Sequence, residues 1–157
     1  MPTPKLQALR ALTVYPTSDA LIPFPGNLKT TGTNTSTTAF QLICSTGDFI
    51  NKNIQVGDII FNSTDYTYAT VTQIISATTL QINVNVFTAT AKGFTIYGSP
   101  APNAGCALYI GGAGNLTVTT AGDDVVTFYN IPAGTFLPVL VKQVWYGTIA
   151  SGIVALW

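Results

Sequence analysis

Hydrophobic and polar residues alternate along the C-terminal third of the chain, residues 106–157. Leu and Val alternate with Thr over residues 116–119, and Val and Phe alternate with Thr and Tyr over residues 126–129. The short segment 121–124 separates these runs, and its Gly122 can adopt a positive φ angle. A period of two residues with Gly-containing interruptions is typical of consecutive antiparallel strands. The pattern therefore predicts an antiparallel β domain here.

One run in this domain, residues 136–146, is apolar at nearly every position. A strand that is apolar on both faces is covered on both sides, here by its own core and by something else. The chain ends on a large aromatic residue, which either frays or fills a pocket, often one in a neighbouring subunit. We therefore predict a subunit interface formed by Phe136, Leu137, Val139, Val141, Trp145, Tyr146, Leu156 and Trp157.

The middle of the chain, residues 27–100, has the pattern of a second β module. A Thr-, Gly- and Asn-rich linker over residues 27–38 leads into it. The most regular alternation in the protein lies over residues 79–87, where four apolar side chains are predicted to point inward: Leu80, Ile82, Val84 and Val86. About five short strands with tight turns favour a small β-barrel or a compact sandwich.

The N-terminal segment, residues 1–26, allows three interpretations. Residues 6–12 have the composition of a short helix bounded by Pro4 and Pro16, but they could also form an extended arm that reaches a neighbour, or a frayed terminus. We assign residues 1–26 to this arm and the first part of a sheet domain, residues 27–100 to an inserted module, and residues 101–157 to the C-terminal β domain. The predicted fold is all-β: an antiparallel β-sandwich or jelly-roll-like domain with an inserted small β-barrel-like module.

The composition indicates a surface that is largely covered. Only 8% of the 157 residues are charged, 47% are hydrophobic, and the net charge is zero. An ordinary soluble protein has about 25% charged residues, and a free monomer with so few would tend to self-associate. The six basic residues argue against nucleic-acid binding. No run is long enough to predict a membrane span, and the N-terminus lacks the apolar core of a secretory signal.

Candidate chemistry is sparse. The chain has neither His nor Glu, which removes the usual general bases and the common catalytic triads. Asp123 and Asp124 are adjacent and are predicted to form a solvated hairpin tip, because neighbours on a strand point to opposite faces. The Gly-rich segment 111–114 lacks the Lys-Ser/Thr of a phosphate-binding loop and predicts a tight turn. We therefore predict no catalytic residues and no cofactor.

Metal binding is not predicted either. Two cysteines cannot build a closed zinc site, and the spacing of Asp48, Asp58 and Asp65 fits no EF-hand. We expect Cys44 and Cys106 to be small buried hydrophobic residues, and the sequence leaves open whether they pair.

The C-terminal third also carries a recognisable pattern: "ALYIGGAGNLTV", then "GDDVVTFYNIPAGTFLPVLVKQV", then "IVALW" at residues 153–157. It resembles the C-terminal module of the spike-base family of phage and gene-transfer-agent virion proteins. The resemblance covers about a third of the chain, and the middle module looks like an insertion. It implies a structural role on the capsid exterior and no catalytic residues.

Three functions are compatible with these observations. The first is a virion structural protein made in the host cytoplasm: a capsid cement, a decoration protein or the base of a head spike. Its expected partners are itself, as a homotrimer, the major capsid protein and a head spike or fibre protein. The alternative is a tail-fibre, baseplate or adhesin-type component whose Trp145, Tyr146 and Trp157 stack on host glycan. The third, a hydrolase that uses Asp carboxylates, is disfavoured by the missing His and Glu.

Overall fold

The computed structural model describes residues 8–100 and 104–157 and divides the chain into two compact units. Unit 1 comprises Met1–Pro16 with Pro102–Trp157, and unit 2 comprises Thr17–Ala101. Unit 2 is thus one continuous segment of the chain, and unit 1 is made from the segments before and after it.

The first division between the units lies after Pro16, whereas the sequence analysis placed it after residue 26. Hydrogen bonds explain the difference. The carbonyl oxygen of Asp19 accepts from Thr70 Oγ1 at 3.0 Å and from Asn83 Nδ2 at 2.8 Å. Both donors belong to unit 2, so these bonds tie the polypeptide after Pro16 to the inserted unit.

The predicted all-β class is confirmed: about half of the structure is strand and 2% is helical, in two antiparallel sheets, one of which curls into a half-barrel. The strands, in chain order, are β1 Ala11–Val14, β2 Leu28–Thr33, β3 Gln41–Ile43, β4 Ile59–Asn62, β5 Thr67–Ser76, β6 Thr79–Ile82, β7 Gly93–Tyr97, β8 Cys106–Gly112, β9 Gly114–Thr120, β10 Val125–Ile131, β11 Thr135–Val144 and β12 Ser151–Leu156. A 3-10 turn, Pro25–Asn27, precedes β2.

Unit 1 holds a six-stranded sheet in the order β1-β12-β8-β11-β9-β10. Its first strand overturns the helix predicted over residues 6–12, because Ala11–Val14 pair antiparallel with β12. Residues 1–7, where that helix and the arm were predicted to begin, lie outside the described residues, and residues 8–10 are not helical. The segment between the two prolines is too short for a stable isolated helix. Strand pairing satisfies the backbone hydrogen-bonding groups of its last residues instead.

The core of unit 1 comes from alternate residues of neighbouring strands. Leu108 and Ile110 on β8, Leu116 and Val118 on β9, and Ile153 on β12 are all at most 1% exposed. Of these five, Leu116 and Val118 belong to the alternating run that the sequence analysis identified.

The hairpin between β9 and β10 forms over the predicted segment, but a different residue makes its turn. Asp123, with φ of 73°, adopts the left-handed conformation that Gly122 was expected to supply. Asp tolerates this region better than most side chains. The backbone nitrogen of Asp123 donates to the Thr120 carbonyl at 3.0 Å and closes the turn.

Unit 2 holds the second six-stranded sheet, in the order β2-β7-β4-β5-β6-β3. Three aromatic side chains pack within its core: the rings of Phe49 and Phe87 lie 6.2 and 6.4 Å from that of Phe94, between centroids. The buried residues around them are Leu42, Cys44, Ile54, Ile60, Ala69, Val71, Leu80, Ile82 and Ile96.

The predicted strand over residues 79–87 is shorter than expected, because β6 ends at Ile82. At Asn83 the regular ladder ends: its backbone nitrogen still donates to the Thr70 carbonyl at 3.0 Å, but its side-chain oxygen, at 2.7 Å, accepts from the Thr70 nitrogen. Leu80 and Ile82 are buried as predicted. Val84 and Val86 lie beyond the strand and pack against the core while partly buried.

Candidate interaction surface

Strand β11 has one face in the core and one face exposed. Phe136 is 66% exposed and Leu140 is 59% exposed. The residue after each, Leu137 and Val141, is buried. When one face of an antiparallel sheet is exposed to solvent, its outward residues are usually polar. The apolar side chains of Phe136 and Leu140 are therefore unusual at these positions.

The exposed side of β11 continues across the sheet. Tyr109 on β8 lies opposite Phe136, and their ring centroids are 5.2 Å apart. On the other side of Tyr109, Val154 of β12 is its register partner. Directly opposite residues share a face of an antiparallel sheet. We call Tyr109, Phe136, Leu140 and Val154 the apolar face of unit 1.

The structure separates the eight predicted interface residues into three groups. Phe136 and Tyr146 are exposed, Tyr146 by 81%. Four others keep part of their surface: Val139, Trp145, Leu156 and Trp157.

Leu137 and Val141 are a correction to that prediction, because they are 7% and 0% exposed within this chain alone. The run was predicted to have one face in its own core and one against a partner, yet residues of both faces were assigned to the interface. Alternation directs these two side chains into the core of unit 1 instead, so they have no surface left for a partner.

The two tryptophans are held by their own chain. Trp145 donates from its backbone nitrogen to the Thr117 carbonyl at 2.9 Å and from Nε1 to Thr119 Oγ1 at 2.8 Å. Trp157 donates from its backbone nitrogen to the Arg10 carbonyl at 3.0 Å, next to β1. The terminal tryptophan is therefore ordered beside β1, and the half-buried Trp145 offers only part of its ring.

Unit 2 contains polar residues whose burial the sequence analysis did not predict. Asp58 is 1% exposed and accepts from the Gln55 nitrogen at 2.8 Å, the Ser99 nitrogen at 3.0 Å and Lys29 Nζ at 2.7 Å. A shallow groove beside it has a volume of about 390 Å³. The groups there satisfy one another, so Asp58 fixes the loop before β4 and has no calcium-like ligand set around it.

Asn62 has a similar role at the end of β4. It is fully buried, its Nδ2 donates to the Val86 carbonyl at 2.8 Å and to Asp65 at 3.0 Å, and its oxygen accepts from the nitrogens of Thr64 and Asp65 at 3.0 Å each. Asn34, also buried, donates to the Ala89 carbonyl at 2.9 Å. The only sequence signal was an amide residue beside a predicted turn.

Titratable groups show few perturbed pKa values. The hydrogen bond from Lys92 lowers the pKa of Asp65, and burial raises that of Tyr97. Burial raises the pKa of the Cys106 thiol to about 12. Cys44 and Cys106 are both buried and free, as small hydrophobic residues would be.

The other residues singled out by sequence do not converge. Asp123 pairs with Lys142 at the hairpin tip, where Asp123 and Asp124 are both exposed. Residues 111–114 end β8 and begin β9. In the described part of the chain, no group of three or more His, Cys, Asp or Glu residues is placed to hold a metal ion.

No helix within residues 8–100 and 104–157 is long and apolar enough to cross a membrane. Comparisons with protein-family models, with curated proteins and with solved structures found no match to this chain.

Proposed function

We propose that this protein is a structural component of a phage virion: a capsid cement or decoration protein, or the base of a head spike, which binds the outer capsid surface. The observation that carries the proposal is the apolar face of unit 1, whose Phe136 and Leu140 are exposed in a chain with only 8% charged residues. The resemblance of the C-terminal third to the spike-base family supports it and is the reason for proposing a phage virion as the assembly.

The mechanism is non-covalent bridging. Copies associate as homotrimers through the apolar face, around Phe136, and the assembled base contacts adjacent major capsid subunits and a head spike or fibre protein. A specific contact buries about 800 Å² per partner. Because a shell repeats each contact many times, individually modest contacts add up by avidity and resist the pressure of packaged DNA.

The experiment has two parts. Mass spectrometry of gradient-purified virions should find the protein, and its presence only in the infected-cell lysate would overturn the proposal. Phe136→Asp should abolish both self-association, measured by light scattering, and recovery on particles. Ile75→Asp is the matched control, because Ile75 is an exposed strand residue of unit 2, 47% accessible. It should leave both intact.

The alternative, a tail component that binds host glycan, draws on the exposed Tyr146, since aromatic rings stack on sugars. Glycan-array binding by the isolated protein that is lost in Tyr146→Ala, together with absence from heads, would favour it. Binding to no glycan, with the protein present on heads, would exclude it.

A further inference from the structure

Strand β10 is an open edge of the sheet in unit 1. It is last in the strand order, and within the described residues it pairs only with β9. Val125 and Tyr129 on it are 61% and 72% exposed. The strand, VVTFYNI, has no charged residue and no proline, the side chains that usually protect an edge from another chain.

The backbone groups that face this open edge follow from the pairing with β9. Thr127 lies opposite Thr117, whose carbonyl accepts from the Trp145 nitrogen at 2.9 Å and whose nitrogen donates to Thr148 Oγ1 at 3.1 Å. Thr117 thus directs its backbone groups away from β10, and Thr117 and Thr127 form a non-hydrogen-bonded pair. Their hydroxyls, 2.9 Å apart, bond directly.

Hydrogen-bonded and non-hydrogen-bonded pairs alternate along an antiparallel ladder, so the pairing type at Thr127 predicts the pairing type at its neighbours. Thr120 donates to the Asp124 carbonyl at 2.9 Å, so the next pair, Val125 with Thr119, is again non-hydrogen-bonded. The N–H and C=O groups of Val125 and Thr127 therefore point away from β9, in the plane of the sheet, at its open edge. They form a template for one more antiparallel strand.

We propose that this strand is β10 of a second copy, paired antiparallel about a two-fold axis at Thr127. Thr127 then exchanges backbone hydrogen bonds with Thr127 of the partner subunit, and Val125 lies opposite Tyr129 of the partner subunit. A β-branched residue opposite an aromatic one is a favourable cross-strand pair. Asn130, with φ of 54°, ends the regular register, so the contact spans residues 125–129.

A second copy fits this edge better than an unrelated strand for two reasons. The register is self-complementary, since the exposed Val125 and Tyr129 meet each other across the axis. No charge on the strand is brought against its own copy. This contact is separate from the apolar face, and a two-fold contact combined with a trimer gives closed D3 symmetry.

Disulfide trapping tests the contact directly. Paired residues that exchange both backbone bonds have Cα atoms about 5.5 Å apart, within the range that a disulfide spans. Thr127→Cys should therefore give a covalent dimer on mild oxidation of the full chain. The native cysteines are both buried, and Ser45→Cys, at an exposed position in unit 2, is the control for random collision. Equal dimer yields from the two variants would overturn the proposal.

Charge pairing tests the register. Val125→Glu and Tyr129→Lys should each weaken association measured by light scattering, by about two- to thirtyfold from two symmetry-related cross-strand pairs. The double variant should recover it, because Glu at 125 then faces Lys at 129 of the other copy. Failure to recover in a folded double variant, shown by circular dichroism, would refute this register. Loss of trimer in Phe136→Asp with β10 trapping retained would separate this contact from the proposed capsid role.

Discussion

Asp58 offers the most direct test of how unit 2 is held together. Its carboxylate receives hydrogen bonds from the Gln55 and Ser99 nitrogens and an ion pair from Lys29 Nζ, all within 3.0 Å. These contacts join the loop before β4 to β2 and to the segment after β7. Asp58→Ala removes every one of them and leaves two backbone N–H groups without their acceptor.

The expected loss follows from those two donors. An N–H group left without its acceptor costs about 1–3 kcal/mol. Gln55 and Ser99 are themselves exposed, so water reaches part of the site and the lower half of that range applies to each. The Lys29 side chain is 20% exposed and is hydrated again once Asp58 is removed, so loss of the ion pair adds little to the loss of stability. We expect a loss of about 3 kcal/mol, which lowers the Tm of a unit of this size by about 12–24 °C.

The assay is thermal unfolding of the full chain combined with amide hydrogen exchange, which reports on β4 and β5 separately. Asp58→Asn should give an intermediate loss, since it keeps the shape and one acceptor oxygen. Asp19→Ala is the matched control in the same unit, because the bonds of Asp19 to Thr70 and Asn83 use its backbone oxygen. A Tm for Asp58→Ala within about 2 °C of the parent chain would refute the reasoning.

Three further predictions concern groups outside that loop. Asn62→Ala should destabilise unit 2 by about 2–4 kcal/mol in denaturant unfolding, because two N–H groups and a carbonyl lose their partner at a fully buried position. The folded-state pKa of Asp65 is lowered by Lys92, so this pair stabilises the fold above the unfolded pKa and the contribution is lost as pH falls through the folded value; in Lys92→Met, acid unfolding should lose that part of its pH dependence. Cys106, with a pKa of about 12, should resist alkylation at pH 8 in native protein and react after denaturation; rapid native labelling would contradict its burial.

The sequence by itself determined the class of fold and part of the core of each unit. Periods of two residues, broken by Gly, Asn and Asp, located the strands of both units, and the inward positions such as Leu116 and Leu80 are buried as predicted. These features are local: each residue type favours an extended or turning backbone and directs alternate side chains to opposite faces. The absence of His and Glu likewise limited the available chemistry without any structure.

Only the tertiary structure decided which side of each strand is free. The run 136–146 is apolar at positions of both parities, so its sequence cannot distinguish Phe136, which is exposed, from Val141, which is buried. Which of these side chains is exposed depends on how β11 packs in the sheet, between β8 and β9. The edge position of β10 likewise follows from the strand order of the sheet and not from the sequence of β10 itself. The buried roles of Asp58 and Asn62 arose in the same way, because hydrogen bonds between residues far apart in the chain satisfy a polar group that sequence alone would place in water.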